Sequence, residues 1–435
     1  MLNKIYAKKA DPVRRRPRVV SVFTLINDNR VVEKFNGSFV NYKVAREDTS
    51  SSAGLIRDYR IFRFPSLVFL DPKGGMLFSE IAILSRPEAL LLMAEKAVSL
   101  SKQKSLVDYD SEYKSGHVER NFLREYIERR QTAGITGNAE LIEKYVSQLT
   151  IQDLHNYGEV LFILKAGPLA DSTAYKLAQT NRKIVDSIFR FEPLQVRVAM
   201  NNATIANTMN SAIALKNVSR AFAAANFTRN TWTTDRQQGQ KNWEAKMLQY
   251  YAGVKDTMNY LNMASIYYDR YFMQLSADSL RKKDSLNSET ARIRNTPDSI
   301  RVYNAQSTYT STGSRSNGNN KGIRTPVKSD TLRRRVVLFA GDVHATELNN
   351  AAWTFYQIGS TKPDFLMKAL SWSRRSLEII EKAAFYDTYA HLLYKLKLYS
   401  EAESMQKKAI EFAKKEKANT KPFESEYNKI KNKSL

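Results

Sequence analysis

The feature that most limits the fold is a helical periodicity sustained from about Glu112 to Lys283. The segments Val118–Gln131, Ala139–Gln148, Ile151–Leu164, Ala170–Phe191 and Asn242–Leu280 carry apolar residues three and four apart. That spacing places them on one face of a helix, the face that must be buried. Breakers recur at Gly134, Gly137, Gly167-Pro168 and Pro193. The pattern predicts helices joined by short turns. A second helical stretch covers about 336–417. No apolar run approaches the ~20 residues of a membrane helix, so no transmembrane segment is expected. Apolar residues are 43% of the chain, with Tyr 23 and Phe 20, enough to fill globular cores.

The first hundred residues have a different rhythm. Val19-Val20-Ser21-Val22-Phe23 opens an apolar stretch, and Asp28 to Phe35 suits a short helix. Phe39 to Val44 alternates as a strand does. Thr49 to Ser52 is a polar turn and Ala53 to Tyr59 looks helical. Ser66 to Leu70 is a buried strand between Pro65 and the turn Asp71-Pro72-Lys73-Gly74-Gly75. Met76 to Leu84 follows as a strand. Ser85 then caps a helix running to about Leu100, with Glu88 completing a capping box.

Charge is unevenly spread. The net charge is +24 over 435 residues. Lys4 to Arg18 carries seven cations against Asp11, Arg281 to Arg335 thirteen against four acids, and Lys407 to Lys433 nine against four. These three segments hold +20 of the total. The rest of the chain is near neutral, so the basic charge belongs to an arm (1–18), a flexible Ser/Thr/Asn/Gly-rich linker (284–335) and a lysine-rich tail (418–435). Weak, nonspecific polyanion binding follows from that charge. Neither Arg14 to Arg18 nor Arg333 to Arg335 interleaves aromatics or sits on a groove-reading helix, so base recognition is not expected.

Near the C-terminus a recurrence appears. Trp353, Ala369 and Ser376 return 33 residues later as Tyr386, Ala402 and Ala409. Small residues let two helices approach closely, and a bulky aromatic fills the space against the next pair. With Asp387-Thr388-Tyr389-Ala390-His391-Leu392-Leu393 and Tyr399-Ser400-Glu401-Ala402, the segment resembles tetratricopeptide repeats, whose period is ~34. It departs where that family often has glycine in the inter-helix turn, here Lys397-Leu398, and an aromatic in the second helix, here Gln406. The resemblance implies a groove that holds a peptide or protein partner, and packing roles for Trp353, Ala369, Ser376, Tyr386, Ala390, Ala402 and Ala409.

Tyr59-Arg60-Ile61-Phe62-Arg63-Phe64-Pro65 and the strand and turn after it resemble the later part of a thioredoxin-like domain. The resemblance implies that Pro65 is the family's cis-proline. The family's Cys-x-x-Cys would fall before about Asn27, where Arg14 to Arg18 stand. Cysteine count is zero. Disulfide exchange needs a thiolate, so such a domain would be redox-dead.

No other constellation supplies chemistry. Val336 to His344, an apolar run ending in Asp342-x-His344, has the look of a first metallophosphoesterase motif but lacks the downstream ligands. Asp342 and Thr346 fit a strand end or helix cap instead. His117, His155, His344 and His391 form no ligand pair. Gly318 to Gly322 has the wrong spacing for a phosphate loop. Catalytic, cofactor and metal residues are therefore expected to be none.

The expected fold class is α+β, predominantly α: a degenerate thioredoxin-like domain (19–105), a helical repeat-type region (110–283) and tetratricopeptide-like repeats (336–417). The expected function is non-catalytic, a scaffold that binds a protein or peptide. The alternatives are a nucleic-acid- or anionic-surface-associated protein and a truncated relic of a thiol-disulfide oxidoreductase. Without an apolar leader the chain is expected in the cytoplasm, or in the periplasm if its true start lies upstream.

Overall fold

The computed structural model describes residues 25–44, 53–59, 61, 64–81, 86–280, 282, 340–358 and 362–435. The expected basic arm, the apolar stretch Val19–Phe23, the cap residue Ser85, the linker 284–335 and the apolar run Val336–Phe339 lie outside them. The described residues are predominantly helical with a two-stranded antiparallel sheet. No helix among them is long and apolar enough to cross a membrane. The chain forms two compact units, Met1–Phe227 and Thr228–Leu435.

The first unit opens with α1 (Asn29–Ser38) and α2 (Ala53–Asp58), then β1 (Ser66–Leu70), β2 (Met76–Ile81) and α3 (Pro87–Ser101). Asp28 caps α1 by accepting from Arg30 N. The strands pair with Ser66 opposite Ile81 and Phe69 opposite Phe78. Phe35, Phe39, Phe69 and Phe78 form a chain of ring contacts, Phe69 stacking on Phe78 at 4.7 Å. In the hairpin turn, Asp71 Oδ1 accepts from Lys73 N at 2.9 Å and Gly75 N at 2.8 Å. A Cβ at Gly75 would lie 2.6 Å from Asp71 Oδ2, so only glycine fits there.

Two expectations change here. Phe39 to Val44 pairs with no strand among the described residues; Phe39 packs inward, while Val40 is 100% exposed. Alternation marks which side chains could face a core, but it supplies no ladder partner. The helix expected to be capped by Ser85 starts at Pro87 with Arg86 as its cap residue, and Glu88 in its first turn pairs with Arg30 at 3.1 Å.

Helices follow: α4 (Leu106–Lys114), α5 (Arg120–Thr132), α6 (Ala139–Val146), α7 (Tyr157–Lys165), α8 (Thr173–Ala178), α9 (Arg182–Phe191), α10 (Leu194–Ala214) and α11 (Val218–Asn230). Their core holds Leu123, Ile127, Ile142, Tyr145, Ile163 and Ile188. No break falls near residue 105. Ser105 donates to Asp71 Oδ2 at 2.5 Å, Lys73 pairs with Asp108 at 2.7 Å, and buried Arg129 donates to Leu77 O at 3.3 Å. Those bonds join hairpin and helices in one unit. The division falls inside α11, so the region expected as 110–283 is shared between units.

In the second unit come α12 (Arg236–Gly253), α13 (Thr257–Tyr271), α14 (Ala340–Gln357), α15 (Pro363–Ile379), α16 (Ala383–Lys395), α17 (Tyr399–Lys415) and α18 (Lys421–Lys431). Sequential helices pack as pairs: α12 with α13, α14 with α15, α16 with α17. One core runs from Leu248 and Leu261 through Ala345, Phe355 and Trp372 to Leu392. The tail expected from Ala418 is mostly helix. Phe423, Tyr427 and Ile430 lie four and three apart, and Ile430 packs with Ala390, Leu393 and Ala402. Dense lysines hide that apolar stripe.

The described residues with left-handed backbone and a side chain are all lysines: Lys216, Lys255, Lys397, Lys417 and Lys433. Each follows a helix end. At Lys397 (φ 64°), Leu398 N donates to Leu393 O at 3.0 Å and Lys397 N to Tyr394 O at 2.9 Å, the two bonds of a Schellman cap. Glycine takes this conformation without the Cβ clash, which costs an L-residue about 1–2 kcal/mol. Lys397→Gly should therefore raise stability by about 0.5–1 kcal/mol, after glycine's greater unfolded-state entropy is set against the relief. Urea midpoints of the two proteins check this, and an unchanged or lower midpoint would contradict it.

Candidate functional site

The small residues of the recurrence all lie on the buried faces of their helices. Ala369, Ser376, Ala390, Ala402 and Ala409 are fully buried, as is Gln406. Ala402, Gln406, Ala409 and Ala413 form one stripe of α17. Tyr386 is buried against Phe412 with ring centroids 5.0 Å apart, and its hydroxyl donates to Glu381. Burial and that carboxylate push its phenol up to about 12.

Trp353 is placed differently from Tyr386. It lies in the last turn but one of α14, whereas Tyr386 lies in the first turn of α16. The link between α14 and α15 is longer than the three residues 396–398 between α16 and α17. The second helices, Pro363–Ile379 and Tyr399–Lys415, both start and end 36 residues apart, so the 33-residue offset aligns neither pair of helices and instead carries Ala369 and Ser376 onto the buried stripe of α17 about one turn nearer its start.

Trp353 instead belongs to an aromatic ledge. Trp353 and Tyr356 are both half-buried, and their rings stack at 4.9 Å. His391 of α16 meets both edge-on, at 5.3 and 5.2 Å. Lys395 Nζ lies 4.7 Å from the Tyr356 ring centre and donates to Tyr356 O. Asn349, one turn before Trp353 on the same stripe of α14, is buried, and its Oδ1 has no partner.

Beneath the ledge, His391 is 3% exposed. Its Nδ1 lies 2.8 Å from Asp387 O, and its Nε2 3.3 Å from Glu426 Oε2. Both partners are acceptors, so the ring is held between α16 and α18. Gln406 Nε2 donates to Asp387 Oδ1 at 2.7 Å and Phe423 O at 3.2 Å. Gln406, which departs from the aromatic of the resembling family, thereby ties α16 and α18 to α17. Burial raises the Asp387 carboxyl above its usual range. Burial also pushes Glu426 up, but Lys429 and His391 outweigh it and hold that carboxyl low. Trp353 stands out in the sequence, and Tyr356, three residues on, is its detectable neighbour. Asp387, Gln406 and Glu426 leave no such signal, because their meeting depends on α18 packing back onto the pair.

The other residues marked by the sequence are scattered. The Phe64–Pro65 peptide is cis and precedes β1. Asp342 lies in the first turn of α14 and pairs with Lys382, and His344 Nε2 lies 2.9 Å from Phe272 O. His117 is exposed beside Glu112 O and Ser115. Among the described residues no three metal-binding side chains converge. Compared with family models, with curated proteins and with solved structures, the chain matches none of them.

Proposed function

We propose that the chain is a non-catalytic interaction protein whose C-terminal helix pairs hold a peptide segment of a partner. In this reading residues 336–417 are tetratricopeptide-like repeats, and 19–105 is a redox-dead relative of thioredoxin-like domains. The Trp353–Tyr356 ledge carries the proposal. Two stacked aromatic rings, braced from below by His391, present a rigid apolar surface at little further entropic cost. Aromatic anchors of this kind supply most of the energy at peptide interfaces.

The test is selection from a displayed peptide library on the full-length chain at about 0.2 M salt, where polyanion attraction is weak. Trp353→Ala and Tyr356→Ala should each weaken the selected peptides about tenfold or more, with helical content unchanged. Selected peptides indifferent to both substitutions, or no selected peptides at all, would overturn the proposal.

A further inference from the structure

The second unit has an open pocket apart from the ledge, between the end of α11 and the start of α12. Arg229, Asn230, Trp232, Thr233, Arg236 and Gln240 line it. Its shape depends on Gly239. Trp232 N donates to Arg229 O at 3.1 Å, closing a tight turn, and that turn lies against Gly239. A Cβ at 239 would stand 2.9 Å from Arg229 O and 3.2 Å from Trp232 Cβ. The missing side chain lets the turn carrying Arg229 and Trp232 close onto the helix carrying Arg236 and Gln240.

The lining is chemically one-sided. Arg229 and Arg236 have no carboxylate partner among the described residues. The nearby acids are engaged: Asp235 accepts from Gln238 N at 2.9 Å, and Glu244 pairs with Arg270 at 2.6 Å. Two arginines in one pocket lining suit a phosphate, to which each guanidinium group can present paired N–H donors. Trp232 is 41% exposed, so part of a large apolar side chain faces water. Asn230 and Gln240 add carboxamides, which carry both donors and acceptors. An acidic peptide would use the cations and leave the indole idle. A ligand with a planar ring, polar ring edges and a phosphate uses all of them.

We propose that this pocket binds a nucleotide unit, its base against the Trp232 indole and its phosphate between Arg229 and Arg236. Base–indole stacking tolerates any base, and the guanidinium groups select for the phosphate. The unit can be a free nucleotide or one residue of a single strand.

The experiment uses the full-length chain at about 0.2 M salt, where contacts by the basic segments are suppressed. Adenosine monophosphate, ribose 5-phosphate, a dodecamer of deoxythymidylate and hexaglutamate are titrated by calorimetry. The nucleotide should bind about tenfold or more tightly than ribose phosphate. Trp232→Ala should erase that difference, and Arg229→Gln with Arg236→Gln should abolish binding of both. Gly239→Ala keeps every lining residue and should also weaken the nucleotide, since the turn must move. A dodecamer far tighter than the mononucleotide identifies a strand as the source, and equal affinities identify the free nucleotide. Ribose phosphate binding as well as the nucleotide, binding that survives in the double arginine variant, or hexaglutamate competing equally would each overturn the proposal.

Discussion

Replacing Trp372 with alanine should lower stability by about 3–5 kcal/mol, the range for emptying a buried aromatic site. Trp372 is fully buried, among the largest side chains with no exposure. Its ring meets Phe355 of α14 edge-on at 4.8 Å and Tyr268 of α13 at 5.2 Å. Its Nε1 donates to Asp269 Oδ1 at 2.8 Å. One side chain on α15 thus fills space against two other helices and satisfies a carboxylate. Alanine would leave a cavity lined by rings that cannot all collapse inward, and Asp269 would keep only Lys368. Trp372→Phe retains most of the volume and loses the hydrogen bond, so about 1–2 kcal/mol is expected. Urea unfolding followed by far-ultraviolet circular dichroism compares the two. Equal losses for Phe and Ala would mean that packing around the indole contributes little.

The helices are legible in the sequence because burial repeats along them. Leu366, Ala369, Trp372, Ser376 and Ile379 keep α15 in register with its neighbours, and their spacing of three and four is plain in the order of residues alone. What escapes such a reading depends on partners far away in sequence. Phe39 to Val44 has a strand's alternation, but no neighbouring strand pairs with it among the described residues. Residues 421–431 have a helix's stripe, but nine lysines from Lys407 onward mask it in any average of composition. Lys397 stands where the resembling family often has glycine. Its physical meaning is a left-handed cap that a charged side chain occupies at some cost. Gln406 stands where an aromatic is usual, and the hydrogen bonds of its amide nitrogen to Asp387 and Phe423 offset part of the cost of burying it, while its Oε1 has no partner. The ledge is half legible: Trp353 is conspicuous, but its contact with His391 needs the turn lengths that bring α14 beside α16.

Enlarging the small residues of α17 should destabilise the fold in the opposite way. Ala402 and Ala409 are fully buried seven residues apart on the face that meets α16. Ala402 shares its cluster with Ala390 of α16 and Ile430 of α18. A leucine at 402 adds a branched side chain where two helices already touch a third, so it must displace backbone or force strained rotamers. Such overpacking costs about 1–3 kcal/mol, and Ala409→Leu should behave alike. Lys408→Leu, on the exposed face of the same helix, should change stability by no more than about 0.5 kcal/mol. Gln406 lies between the two alanines, so any separation of α17 from α16 also stretches its bonds to Asp387 and Phe423. The double variant Ala402→Leu with Ala409→Leu should therefore depart from the sum of the single losses, because both sites act on one interface. Urea midpoints of the four variants test this directly. If both leucine variants unfold at the wild-type midpoint, the α16–α17 interface has room that close packing of small residues would not leave, and the helix-pair arrangement beneath the aromatic ledge loses its physical basis.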